Sequence, residues 1–490
     1  MRRLGPILLG TIPLWLAGAA LAQATPEGAA ELQQSLTTIT TPLEVGRDGD
    51  AHWEGAWVVE PDGAGYRVTW PALSGSLKEG GAAGPRSARF RCAPDHSVAT
   101  RLSEGVYRLH SAAPSDCVLK TGHGGQSFRF SSRTRREDNV VDLTQAAFTE
   151  WSALLEDVTI QAGGAPATPL MSAARLESSG RGMPSGHPGR RDLVVRSVTE
   201  ALRLTGPDGT ERFTASRVES ERHLFDYAFD GVVKRTMETM RMVDLVEDQQ
   251  RDPASPQIPI QALLSFARAA GSYGDRFRSS TTYSDYRATV PGGSFGLKTL
   301  SWDTDAEGIG SESGSGRATL RFSGLWLGST STVADWTPQD VTLALAATGV
   351  PFKSLLKAIE SDPTPAVMPR LAALLGQAGS RLEIETAQLR TAAGGALDLR
   401  GSIRADATAA RGVSGSATAR LTGLAPLAAF LRSRPQTTRT ADRVTAVEAL
   451  GRAVDLGGDT ARDYDIVLGG EPALLVNGID PAVILQDAKP

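Results

Sequence analysis

Alternation of apolar and polar residues over stretches of five to ten residues, cut repeatedly by turn signals, constrains this chain more than any other feature. Tyr66-Arg67-Val68-Thr69-Trp70, Ala88 to Cys92 and Val106 to His110 each place apolar groups on every second residue. That period belongs to a β-strand with one covered face. The breaks are Pro61-Asp62-Gly63, Gly206-Pro207-Asp208-Gly209 and Pro291-Gly292-Gly293. Each supplies backbone freedom or a preset φ suited to a tight turn. Glycine makes up 52 of the 490 residues, which such a run of turns requires. Parallel βαβ units would need continuous apolar strands, and these strands alternate. The pattern therefore predicts an α+β, β-rich fold with antiparallel sheet and short amphipathic helices packed on one face.

Helical spacing predicts helices over Glu31 to Thr38, Leu143 to Leu155, Gln261 to Ala270, Lys353 to Ile359, Ala366 to Leu375, Leu424 to Leu431 and Arg443 to Val454. The clearest helix is expected at about 228–247, where Phe229, Val232, Val233, Met237, Met240 and Val243 form one apolar stripe. Methionine adapts to variable apolar surfaces. Phe229, Val233, Met237 and Met240 are thus the candidate ligand-facing residues, with an ordinary core-facing helix as the alternative reading.

Four segments are expected. Residues 1–22 read as a secretory signal peptide: Met1-Arg2-Arg3, an apolar stretch from Ile7, and the small-residue site Ala20-Leu21-Ala22. Residues 23–165 read as a β-rich region with a disulfide. Residues 166–192, rich in Gly, Pro, Ala and Ser, read as a loop or boundary. Residues 193–490 form a second β-rich α+β region. No later apolar stretch is long enough for a transmembrane helix. Only seven of the 51 basic residues are Lys, a coding bias that fits a GC-rich bacterium, so the expected compartment is the periplasm. The net charge of −4 argues against a nucleic-acid partner, which calls for a basic surplus.

Cys92 and Cys117 are the only cysteines. An even count in an exported chain favours a disulfide over two buried thiols. Catalytic motifs are weak. Pro184-Ser185-Gly186-His187 resembles the central motif of type-2 phosphatidic acid phosphatases, and Ser216-Arg217 is followed at the right spacing by His223. Tyr227 stands where that family needs an acid, however, and its upstream Lys-x6-Arg-Pro element is missing. Asp303-x-Asp305-x-Glu307-Gly308 begins like a calcium loop, yet Gly314 occupies the position of the bidentate ligand. His96, His110 and His123 lie near the cysteines in sequence without zinc spacing. There is no P-loop, no nucleophile elbow and no dinucleotide fingerprint. The expectation is no catalytic residue, no metal and no cofactor.

Three stretches carry a resemblance over roughly the last 300 residues: Ala201 to Val218 as strand–turn–strand, Ser414 to Leu424 as a strand entering a helix, and Leu474 to Leu485 at the end. They resemble exported domain-of-unknown-function proteins of alphaproteobacteria that are distantly similar to AsmA-like envelope proteins. That resemblance implies large antiparallel sheets curving into a groove and a role in envelope or lipid homeostasis. The expected function is a non-enzymatic exported protein that binds an apolar ligand, a lipid or an envelope partner in a β-sheet groove. A periplasmic hydrolase or phosphatase and a purely structural envelope protein are the alternatives.

Overall fold

The computed structural model describes residues 24–40, 45–46, 49–81, 84–112, 116–121, 127–162, 169–187, 190–206, 209–228, 275–290, 293–328, 334–362, 365–406, 408–409, 412–455 and 460–486. The signal segment 1–22 and the expected helices at 228–247 and 261–270 lie outside the described residues, apart from Ala228.

The architecture is one large, open, curved antiparallel sheet with a few short helices, as the alternation predicted. Its N-terminal strands are β1 Val45–Gly46, β2 Gly49–Glu54, β3 Val58–Asp62, β4 Gly65–Trp70, β5 Ala72–Gly81, β6 Gly84–Cys92, β7 Asp95–Ser103, β8 Val106–Ser111, β9 Asp116–Thr121, β10 Ser127–Ser131 and β11 Thr134–Asp142. They form two branches that converge on β12, Ala147–Ala162. One branch runs β1-β2-β5-β6-β9-β10 and the other β3-β4-β7-β8-β11. β10 takes the last residues of β12, and β11 takes the first ten.

The main core lies against the second branch. Helix α1, Pro26–Thr40, starts where the Thr25 hydroxyl accepts the Gly28 amide at 3.1 Å, with Pro26 and Glu27 in the first turn. Its stripe of Ala29, Leu32, Leu36 and Ile39 packs on Trp57, Val59, Tyr66, Val68, Tyr107, Leu109 and Val141. β3 is an edge strand, and the Gln33 side-chain oxygen of α1 accepts its Val59 amide, which blunts that edge.

From β12 the sheet continues as a meander through β13 Met171–Pro184, β14 Arg190–Thr205, β15 Glu211–Ala228, β16 Arg276–Val290, β17 Gly293–Glu307 and β18 Gly314–Ser323. β19, Trp326–Leu327, pairs with the start of β17. β20 Pro338–Val350, β21 Arg381–Thr391, β22 Ala396–Ala405 and β23 Val413–Thr422 follow. β25, Thr460–Leu468, ends the sheet, with its outer edge covered by β24 Arg452–Asp455 and β26 Leu474–Val476. Short final strands of this kind limit edge-to-edge pairing.

Two expectations need correction. Residues 143–155 are not a helix: Trp151, Leu154 and Leu155 belong to β12. Trp151 and Leu155 lie on one face and Leu154 on the other, and apolar groups on both faces of a strand imitate helical spacing. Within 166–192, expected as a loop or boundary, β13 runs across Met171–Pro184 and is paired on both edges. Its glycines serve packing rather than turning. The Trp151 ring lies against Gly180, its direct cross-strand neighbour, and a Cβ there would stand 1.9 Å from the ring.

A crease crosses the sheet. Asp157 in β12, Ala201 in β14, Asp285 in β16 and Gly324 after β18 all have positive φ, at 51°, 52°, 48° and 65°. They sit in one line, alternating with Ala174, Ser216 and Lys298, and ladder pairing resumes in unchanged register on either side. At this line the apolar phase of every strand from β12 to β17 shifts by one residue. Trp151, Ala153 and Leu155 give way to Val158 and Ile160, and Tyr283 gives way to Tyr286 and Ala288. A simple alternation would send these groups to the opposite face. In β12, β14 and β16 a left-handed residue resets the phase, as a bulge does, and the facing Ala174, Ser216 and Lys298 follow it. Ring contacts span the crease: Phe213 lies 5.0 Å from Tyr286 and 6.3 Å from Tyr283. Val158, Ala173 and Ala215, immediately beyond it, are fully buried.

Candidate binding face

The long sheet has one charged face and one apolar face. On the charged face, ion pairs join adjacent strands: Arg196 with Glu221 at 2.8 Å, Arg278 with Asp305 at 2.6 Å, Arg321 with Asp303 at 2.6 Å and Arg420 with Asp463 at 2.7 Å. A shallow depression of about 980 Å³ lies over its centre. Thr319 and Ala344 are buried at its floor, beneath the long side chains. These pairs are exposed and satisfy one another, so each adds little stability. Arg420 and Asp463 hold each other charged: the hydrogen bond between them lowers the Asp463 pKa and raises that of Arg420.

Asp303 and Asp305 of the calcium-like motif belong to this face. Both lie within β17 and are paired with arginines, so they do not form a loop. The phosphatase-like residues are dispersed. Ser185 and His187 both bond the same Asp226 carboxylate oxygen, at 2.8 and 2.9 Å, and Arg190 takes the other at 3.1 Å. The Ser185 hydroxyl, then His187 and Arg190, hold the Asp226 carboxyl below its ordinary range. Arg217 is committed to Glu200 and Glu219, and His223 to Glu221. Arg217 and Asp226 stand nine residues apart along one strand, about 30 Å. This arrangement braces strand ends and does not form a phosphate cradle. Among the described residues no three His, Cys, Asp or Glu side chains converge as metal ligands. His96 faces Thr69 and His110 pairs with Asp138, while His123 lies outside the described residues.

Cys92 and Cys117 are brought together. They are directly opposed on β6 and β9, with Cα atoms 4.1 Å apart and the sulfurs bonded. The bridge closes a loop with a sequence separation of 25. Replacing both by Ser is expected to cost about 3–3.5 kcal/mol. Chemical denaturation with and without reductant checks this, and an unchanged midpoint contradicts it.

The apolar face is built by register. Tyr283, Leu300, Phe322, Val341, Leu389, Leu397 and Leu421 form one cross-strand row. Trp302, Leu320, Leu343 and Leu399 lie in the next, and Leu345, Ile384 and Ile466 in a third. Adjacent strands are about 4.8 Å apart, so the rows make a continuous surface. Among the described residues, no Leu, Phe or Trp between 300 and 350 is fully buried. Trp302 is 46% exposed and Leu382 41%.

The described helices reach this face only at its two ends. The pair Phe352–Ser361 and Met368–Gln377 packs on itself through Ala358, Ile359, Val367 and Leu371. It meets the sheet where Phe352 lies against Gly314 and Gly376 lies near Ala405. At the other end the pair Leu424–Arg432 and Thr438–Leu450 docks through Tyr464, whose hydroxyl donates to the Val447 carbonyl at 3.0 Å. Burial there pushes the Tyr464 pKa up to about 12.

Phe229, Val233, Met237 and Met240, the ligand-facing residues expected from the sequence, lie outside the described residues. Sequence reasoning did not single out Trp302, Leu320, Leu343 or Leu399. The signal for them was present in the alternation of each strand, but the register that aligns the strands was not. Comparison with family models, characterised proteins and solved structures finds no match for this chain.

Proposed function

We propose that this protein is an exported, non-enzymatic carrier that holds a single-chain apolar ligand against the open apolar face of β17–β23. The observation that carries the reading is the row of exposed Trp302 and half-buried Leu320, Leu343 and Leu399, which lies between the two described helix pairs. Exposed apolar surface of this extent is costly in water and marks an interaction site. The charged face opposite supports the reading, because its self-paired charges keep such a sheet in solution. Export is supported by the N-terminal sequence and by the bonded cysteines, which persist in oxidising compartments.

The test is mass spectrometry of solvent extracts of the purified chain, with titration of a fluorescent fatty-acid probe. A co-purifying acyl compound is expected, together with saturable probe binding. Leu320→Asp with Leu343→Asp should weaken the probe at least tenfold, since each leucine contributes about 1.5–3 kcal/mol when covered. Thr342→Asp on the charged face should leave it unchanged. Absence of any co-purifying lipid, combined with no probe binding and no thermal shift with lipids, overturns the proposal.

A further inference from the structure

We infer that the ligand is an anionic amphiphile whose headgroup is held by Arg222 over a strip of hydroxyl groups; this rests on the binding reading above. The row containing Trp302 changes chemistry along its length. Followed towards the N-terminus, Trp302 stands opposite Thr281, then Ser220, Ser197 and Ser178. Followed the other way it runs through Leu320, Leu343 and Leu399. One continuous row is thus hydroxyl-bearing on β13–β16 and apolar from β17 onward.

Arg222 stands within the hydroxyl part, between Val195 and Ser279 and beside Ser220 in β15. It is exposed and has no ion pair among the described residues. Its nearest cationic neighbours, on the opposite face, are all committed: Arg196 to Glu221, Arg217 to Glu200 and Glu219, Arg278 to Asp305. Arg222 departs from this pattern, offering a guanidinium fork to a carboxylate or phosphate. The apolar part from β17 to β22 spans four strand intervals, about 19 Å. That exceeds the roughly 15 Å that one acyl chain spans in half a bilayer core.

The experiment uses the full chain and three amphiphiles with the same acyl length: palmitate, a palmitoyl lysophosphatidate and the neutral monoglyceride. The anionic pair should bind about tenfold more tightly than the neutral one at low salt. Arg222→Gln should abolish the preference, and Arg222→Lys should keep most of it. Ser279→Asp, which gives Arg222 an internal partner, should imitate the Gln variant while the thermal midpoint stays unchanged. A preference for one anion over the other identifies the carboxylate or the phosphate as the source. Equal binding of neutral and anionic amphiphiles, or a preference that survives in Arg222→Gln, overturns the headgroup assignment and leaves the carrier reading standing. Failure of all three to bind overturns both.

Discussion

A chain lacking Ala201 is expected to lose the cooperative unfolding of the long sheet, whereas Ala201→Gly should raise its midpoint. Ala201 occupies the crease with φ at 52°, a conformation that costs a non-glycine residue about 1–2 kcal/mol. Glycine relieves that strain but loosens the unfolded chain, so the expected net gain is about 0.5–1 kcal/mol. Deletion acts differently. Leu193 and Val195 before the crease and Leu202 and Leu204 after it have opposite sequence parity. Without Ala201 the two pairs share one parity, but β14 is then one residue short against Ala174 and Ser216, so its ladder with β13 and β15 must slip by one residue on one side of the crease. Leu193 is buried against Leu224 and Tyr227, and Leu202 stands opposite the buried Ala215, so slip on either side breaks buried pairing. At roughly 1.5–3 kcal/mol per misplaced apolar side chain, the loss approaches the whole stability of an ordinary domain. Calorimetry of the two variants decides this. A deletion variant that unfolds at the parent temperature would show that the crease does not hold the phase.

The second large effect belongs to α1. Leu32 is completely buried in the largest core cluster. Leu32→Ala should therefore destabilise the protein by about 2–5 kcal/mol. Leu382→Ala, at a leucine 41% exposed on the apolar face, should cost less than about 1 kcal/mol. Urea denaturation measures both. If the two variants are equally unstable, stability is not concentrated in the N-terminal core and the apolar face is itself structural.

Much of the architecture was legible along the chain. Period-2 alternation marked the hairpin of Val58–Asp62 and Gly65–Trp70, whose turn glycine, Gly63, has φ at 62°. The helical stripe of α1 was readable over Glu31 to Thr38, and the structure extends it to Pro26–Thr40. The phase shift at the crease was the main obstacle. It interrupts the alternation of β14 between Val195 and Leu202, although a single strand runs Arg190–Thr205. Trp151, Leu154 and Leu155, which lie before the crease, imitated a helix for a different reason, because Leu154 sits on the opposite face. An alanine in left-handed conformation, as at Ala201, leaves no compositional mark.

The candidate site was less legible than the fold. Each strand's own alternation says which residues share a face, since side chains on a strand point alternately up and down. It does not say which residue of the next strand stands opposite, because register depends on pairing across turns of varied length. The proximity of Cys92 to Cys117 could be expected from two cysteines in an exported chain. The placement of Trp302 against Leu320, and the isolation of Arg222 among committed arginines, could not. Sequence by itself determined the antiparallel, one-side-apolar character of this protein, because residue-by-residue periodicity is local. Only the tertiary structure decided where the phase is reset, which rows align into one surface and that Arg222, unlike its arginine neighbours, has no ion pair among the described residues. Those are properties of strands brought together from distant parts of the chain.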